Sequence, residues 1–153
     1  MLVPVTLADT ELDPRVTTFG RLLEACHGLE VRLGTQLERT AGVPLTTFEV
    51  LLRLSRSPEG ALTMGELSRQ LALTTGGITR LVDRLTDAGL VERRPSPSDR
   101  RVQFTAITRA GETALREALD HHTEALRTTF DGFSDRDLAT LDRLLDRLRA
   151  NPS

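Results

Sequence analysis

The chain has 153 residues, of which 27% are charged, 39% hydrophobic and 3% aromatic, with a formal net charge of −2. That length suits one domain with a sizeable core, and the scarcity of aromatic residues favours a helical fold over a β-sandwich. Cys26, the single cysteine, excludes an internal disulfide and points to a reducing cytoplasm. The opening MLVPVTLADTELDP lacks a signal-peptide pattern, and no apolar run approaches the roughly 20 residues of a membrane span, so a soluble cytoplasmic protein without a membrane partner is expected.

In chain order, residues 1–12 read as a loose arm. Asp13-Pro14 opens a helix, with Asp as N-cap and Pro at the first helical position, running to about Thr40. Val16, Phe19, Leu23, Cys26, Leu33 and Leu37 form a near-heptad stripe broken at Glu30, and Leu22 and Leu29 widen it. So wide a stripe exceeds what one small domain covers and implies a partner helix from a second chain. Packing is the reading for Cys26 on that stripe, with redox sensing as the alternative.

Ala41-Gly42-Val43-Pro44 ends this helix, and Thr46-Thr47-Phe48-Glu49 reads as a capping box for a second helix to about Arg56. Phe48, Leu51, Leu52 and Leu54 are its core candidates. Ser57-Pro58-Glu59-Gly60 is a turn and Ala61-Leu62 a short strand. Thr63 to Glu66 is another capping box, opening a short helix with Leu67 and Leu71 inside. Thr74 caps the next helix, which puts Ile78, Leu81, Val82 and Leu85 on one face. Gly76, Arg80, Asp83 and Arg84 lie opposite, with Thr79 at the border. Gly89 stops it as a C′ glycine.

Leu90–Arg94 and Arg101–Ile107 read as the strands of a hairpin, joined through a Pro95–Ser98 turn, with Val102, Phe104 and Ala106 on one side of the return strand. Thr108 caps a long helix to about Thr129, striped by Leu115, Leu119, His122 and Leu126. Ser134 to Asp137 caps the last helix, where Leu138, Leu141, Leu145 and Leu148 make a two-heptad seam.

Three short capped helices followed by a hairpin form a winged helix-turn-helix. The fold class is therefore mainly α with a minor β part: a winged lobe over 46–108 within one 1–153 domain, flanked by dimerisation helices over 14–40 and 109–149. All 20 basic residues are Arg. Residues 60–110 hold 8 Arg and 5 acids, whereas 1–59 hold 6 and 8, and 111–153 hold 6 and 9. A basic middle between acidic flanks outweighs the acidic total as a guide to partners, and the partner it suits is double-stranded DNA.

The third helix of the group suits the major groove. Its first turn, Thr74-Thr75-Gly76-Gly77, offers backbone N–H groups to a phosphate or base edge. Arg80 and Arg84 can fork onto a guanine, and Thr79 can touch a base or thymine methyl. Arg93, Arg94, Arg100 and Arg101 concentrate charge in the wing, where an arginine reaches a narrow minor groove and Asp99 can brace Arg101.

These residues also carry a resemblance. Thr79–Leu85, Gly89–Arg93, Asp99–Arg101 and Ile107-Thr108 followed by Gly111 resemble the multiple-antibiotic-resistance-regulator (MarR) family of bacterial transcription factors, and the helix order over 13–150 agrees. The resemblance implies a homodimer with interlocked first and last two helices, reading a pseudo-palindrome. It implies Thr79, Arg80 and Arg84 as major-groove contacts and Arg101, braced by Asp99, as the minor-groove arginine. It further implies a repressor released by a small, often aromatic, effector or by oxidation. No cofactor is expected.

Two other functional classes fit the sequence less well. An enzyme lacks support, because the chain holds no nucleophile elbow, phosphate-cradling loop or metal motif; His27, His121 and His122 have no zinc-like spacing. His122 is expected at a helix interface, lining an effector pocket. A helical protein-binding dimer module without DNA readout would not need the arginine cluster.

Overall fold

A computed structural model describes residues 12–95 and 102–150. Helix α1 spans Pro14–Ala41, α2 Leu45–Ser55, strand β1 Ala61–Thr63, α3 Met64–Gln70, α4 Thr75–Asp87, β2 Val91–Pro95, β3 Gln103–Ile107, α5 Arg109–Thr129 and α6 Asp135–Ala150. A single 3-10 turn, Pro58–Gly60, leads from α2 into β1. The expected arm over 1–12 falls almost wholly outside the described residues, as do Ser96 to Arg101 of the wing.

Local chemistry sets most helix starts. The Asp13 carboxylate accepts from the Arg15 N–H at 2.8 Å, with Pro14 at the first helical position. Thr63 and Glu66 form the full capping box of α3, and the Thr63 N–H, then its hydroxyl, hold the Glu66 carboxyl below its usual range. Ser134 and Asp137 make the same reciprocal pair ahead of α6.

The capping box expected at Thr46 does not form. Pro44 is the N-cap of α2, so Thr46 and Thr47 already lie in the first turn and Thr47 is buried. Proline has φ suited to a helix entry but no side-chain acceptor, and the box lost its place to it. Val50 joins Phe48, Leu51 and Leu54 in the core, while Leu52 is only half-buried.

The β-structure is a three-stranded antiparallel sheet in the order β1-β3-β2, so the wing hairpin is joined by β1. Ala61 pairs with Ala106, and Val91 with Ile107. The simple alternation expected along the return strand fails for this reason. β3 is central, Thr105, Ala106 and Ile107 are all buried, and the Thr105 hydroxyl lies 3.5 Å from the Met64 sulfur. The strand starts at Gln103, two residues later than expected, and Pro95 ends β2 as a paired strand residue instead of starting the turn. Proline is tolerated there because β2 is an edge strand.

The core joins α2, α3, α4 and the sheet to the inner faces of α1 and α5. Leu37, Leu51, Leu54, Leu67, Ile78 and Val82 are essentially sealed from solvent. Truncating one such leucine to alanine costs about 2–5 kcal/mol. In α5 the buried stripe is Gly111, Leu115, Ala118 and Ala125; Leu119 of the expected stripe is exposed. Small alanines face inward because α1 and α2 both pack against α5 at close range.

The ends of the long helices are different. Only Leu33 and Leu37 of α1 are buried, whereas Val16, Phe19 and Leu23 are open. Cys26 is exposed too, so the packing expected for it is not supplied by the described residues. α6 buries no residue at all, and Leu141, Leu144, Leu145 and Leu148 stand exposed. His122 reaches the helix interface as expected, its ring centroid 4.7 Å from that of Phe48, with a buried Nδ1 that has no hydrogen-bond partner. Burial lowers its pKa from 6.5.

Candidate nucleic-acid interface

The site is built on α4. Its apolar positions recur at helical spacing, and Ile78, Leu81, Val82 and Leu85 are all buried against the lobe. That fixes the helix about its axis and forces the opposite face outward. Thr75, Gly76, Arg80, Asp83 and Arg84 are exposed, and Thr79 is half-buried at the edge. The face expected from periodicity is the face observed.

Both ends of α4 are closed by specific bonds. The Thr74 hydroxyl accepts the Gly77 N–H at 3.1 Å. It satisfies one orphan donor, leaving other first-turn N–H groups at an open helix start. At the far end the Gly89 N–H donates to the Thr86 carbonyl at 2.9 Å and the Leu90 N–H to Leu85 at 2.9 Å. This double bond pattern needs a left-handed residue, and Gly89 supplies it with φ of 70°.

Side-chain poses limit what each group can do. The Thr79 hydroxyl donates to the Thr75 carbonyl at 2.8 Å. Its one hydrogen is thereby used, so the methyl and an acceptor lone pair are what it presents. Arg80 folds back one turn, its Nε donating to the Gly76 carbonyl at 3.2 Å, which leaves both terminal nitrogens available. Arg80 and Arg84 flank Asp83 around a shallow depression floored by Gly77.

Asp83 does not stand alone. The Arg93 guanidinium of β2 donates to it at 2.5 Å, linking the helix to the wing strand. Neither residue was singled out as a pair in the sequence; their opposite signs ten positions apart were the only signal. Arg94, expected at the interface, is exposed and pairs with Glu92 on its own strand at 2.6 Å, so part of its charge is offset. Asp99, Arg100 and Arg101 lie outside the described residues. Cys26, on α1, belongs to another part of the fold.

On the inner side of α4 a cleft of about 310 Å³ opens between its C-terminal half and the α1–α2 turn. Val43, Pro44, Thr47, Leu81, Arg84 and Leu85 are among its lining residues. Among the described residues no group of three or more His, Cys, Asp or Glu converges in a metal-binding arrangement, and no helix is long and apolar enough to cross a membrane.

This geometry has close counterparts among known proteins. Residues 41–102, which hold α2 through β2, match the model of the MarR family. The chain is 36% identical over 90 residues to the Bacillus subtilis HTH-type transcriptional regulator YsmB, a match spanning 59% of this chain and 62% of that protein. It is 28% identical over 145 residues to the multiple antibiotic resistance protein MarR of Salmonella typhimurium, spanning 91% and 96% of the two chains. The structure of Sco3205, a MarR family transcriptional regulator from Streptomyces coelicolor in complex with DNA, superposes with a TM-score of 0.80 at 31% identity, covering 93% of this chain and 91% of that one. Sequence motifs, helix order, sheet topology and near-full-length superposition agree: the chain belongs to the MarR family of transcriptional regulators.

Proposed function

We propose that this chain is a sequence-specific repressor that binds double-stranded DNA as a homodimer on a pseudo-palindromic operator and responds to a small-molecule effector. The observation that carries the reading is the outer face of α4, where Thr75, Thr79, Arg80 and Arg84 stand together on a helix whose other face is buried. A helix so presented fits the major groove, about 12 Å wide, and each arginine forked onto a guanine contributes about 1–3 kcal/mol of base discrimination. The likeness to Sco3205, determined with DNA, supports this docking.

In this reading the open first turn, with Thr74 and Thr75, meets a phosphate. Thr79 offers its methyl to thymine or its lone pair to a base amino group. Arg94, Arg100 and Arg101, with Asp99 as brace, serve the wing and the minor groove by their place in the sequence. Residues 46–108 form the reading lobe, and 14–40 with 109–149 form the dimer frame. The exposed apolar residues of α1 and α6 support the frame, since a run of open leucines at coiled-coil spacing calls for a partner.

The cleft beside Arg84 supports the effector part. An anionic small molecule seated there would draw the Arg84 guanidinium away from DNA, weakening binding without unfolding α4.

Selection of duplexes from a randomised pool tests the reading. The expected result is an enriched inverted repeat whose affinity falls steeply with salt, as several neutralised phosphates require. Recovery of no sequence, or salt-independent binding, would favour a helical protein-binding dimer instead.

A further inference from the structure

The N-terminus of α5 is fastened to the turn between α4 and β2 at one small joint. The Thr108 hydroxyl donates to the Gly89 carbonyl at 2.7 Å and accepts the Gly111 N–H at 3.1 Å. The Thr108 N–H donates to the Leu90 carbonyl at 3.1 Å. Gly111 then lies against that same carbonyl so closely that a Cβ there would collide with the Leu90 oxygen and come within 2.9 Å of Ile107 Cγ1. Backbone cannot swing away as a flexible side chain can, so even one methyl would push α5 off the turn.

The turn in question is no passive loop. Gly89 and Leu90 form the double-bonded stop of α4, and Leu90 precedes Val91, the first residue of β2. The Arg93–Asp83 ion pair also ties β2 to α4. Recognition helix, turn and wing strand are therefore tied to one another by specific bonds. The N-terminus of α5 follows directly on β3, which pairs with β2, and Thr108 and Gly111 add its direct contacts with the turn. Beyond the joint α5 runs along α1 in the part of the molecule that supplies the dimer frame.

We propose that Thr108 and Gly111 are positioning residues: they fix the angle between α5 and α4, and so set the separation of the two half-sites that a dimer reads. The proposal rests on the DNA-binding reading for its second half only; the first half concerns the chain alone. Two hydroxyl bonds and one missing methyl convert the tilt of a frame helix into the placement of a recognition helix.

Three variants test it: Gly111→Ala, Thr108→Val, which keeps the shape but removes the hydroxyl, and Thr108→Ser, which restores it. Spin labels on Asp87→Cys and Glu117→Cys in a Cys26→Ser background, with labelled chains diluted in unlabelled ones, read the α4–α5 distance without DNA. The expected result is a narrow distribution in the parent and in Thr108→Ser, and a shifted or broadened one in the other two. An unchanged distribution in Thr108→Val and Gly111→Ala overturns the joint. Should Gly111→Ala not fold, the Thr108 pair still decides.

The DNA arm uses duplexes selected by the parent protein, rebuilt with base pairs inserted or removed between half-sites, and a duplex carrying one half-site. Thr108→Val and Gly111→Ala are expected to lose about tenfold in affinity at the parent spacing, to prefer another spacing or none, and to bind the single half-site as the parent does. Equal loss on every duplex would mean that the joint only shapes α4, and overturns the spacing claim. If the parent selects no sequence while the label distances shift, the DNA-binding reading and the spacing claim fall and the joint stands.

Discussion

Arg93 of β2 holds Asp83 of α4 at 2.5 Å, with both side chains about half exposed. On the proposed DNA-binding face an unpaired carboxylate would repel phosphate; this pair offsets the Asp83 charge and joins helix to wing strand.

Breaking the pair is expected to cost function more than stability. An exposed pair contributes only about 0.2–1 kcal/mol to folding, so Arg93→Ala should leave the thermal midpoint nearly unchanged. Its affinity for selected operator should nonetheless fall several-fold, because Asp83 is left uncompensated at the interface. A double-mutant cycle with Asp83→Ala should show coupling in DNA affinity, and additive losses would mean that the two residues act separately.

Arg84→Ala is expected to weaken operator binding by about 1–3 kcal/mol and to relax preference at one base pair per half-site. Competition against mixed-sequence duplex is the check. Equal loss on specific and non-specific DNA would make Arg84 a phosphate contact.

His122 links stability to pH. Burial lowers its pKa from 6.5, so the folded state favours the neutral ring while the unfolded chain takes up a proton near 6.5. Stability is therefore full above 6.5 and declines as pH falls from there towards the lowered folded value. His122→Phe should flatten this decline. It should also gain about 1 kcal/mol at neutral pH by removing a buried ring nitrogen that has no partner. Urea melts at several pH values decide; an unchanged slope would exclude His122 as its source.

Leu145→Asp, on the exposed seam of α6, is expected to shift the protein from dimer to monomer without unfolding the lobe, since α6 buries nothing within its own chain. Sedimentation with a parallel operator titration reads both changes. A variant that stays dimeric moves the interface away from α6.

The local layer of this protein was legible in the sequence. The caps at Asp13, Thr63, Thr74, Thr108 and Ser134 each act within three residues, and the α4 faces follow from helical spacing alone. Thr79, Arg80 and Arg84 could be placed on one outward surface for that reason.

Tertiary structure decided what distant residues must settle together. β1 joining the wing made β3 central and buried Thr105, which no alternation within β3 could reveal. The close approach of α1 and α2 turned α5 so that alanines, not Leu119, face inward. Asp83 found Arg93 across ten residues, and Thr108 reached Gly89 across nineteen. Sequence spacing specifies the faces of a helix because backbone geometry is fixed within a few residues; which partner meets a face depends on packing among elements far apart in the chain. The outer face of α4 was therefore written locally, while the bonds between Thr108 and the turn after α4 exist only in the folded chain.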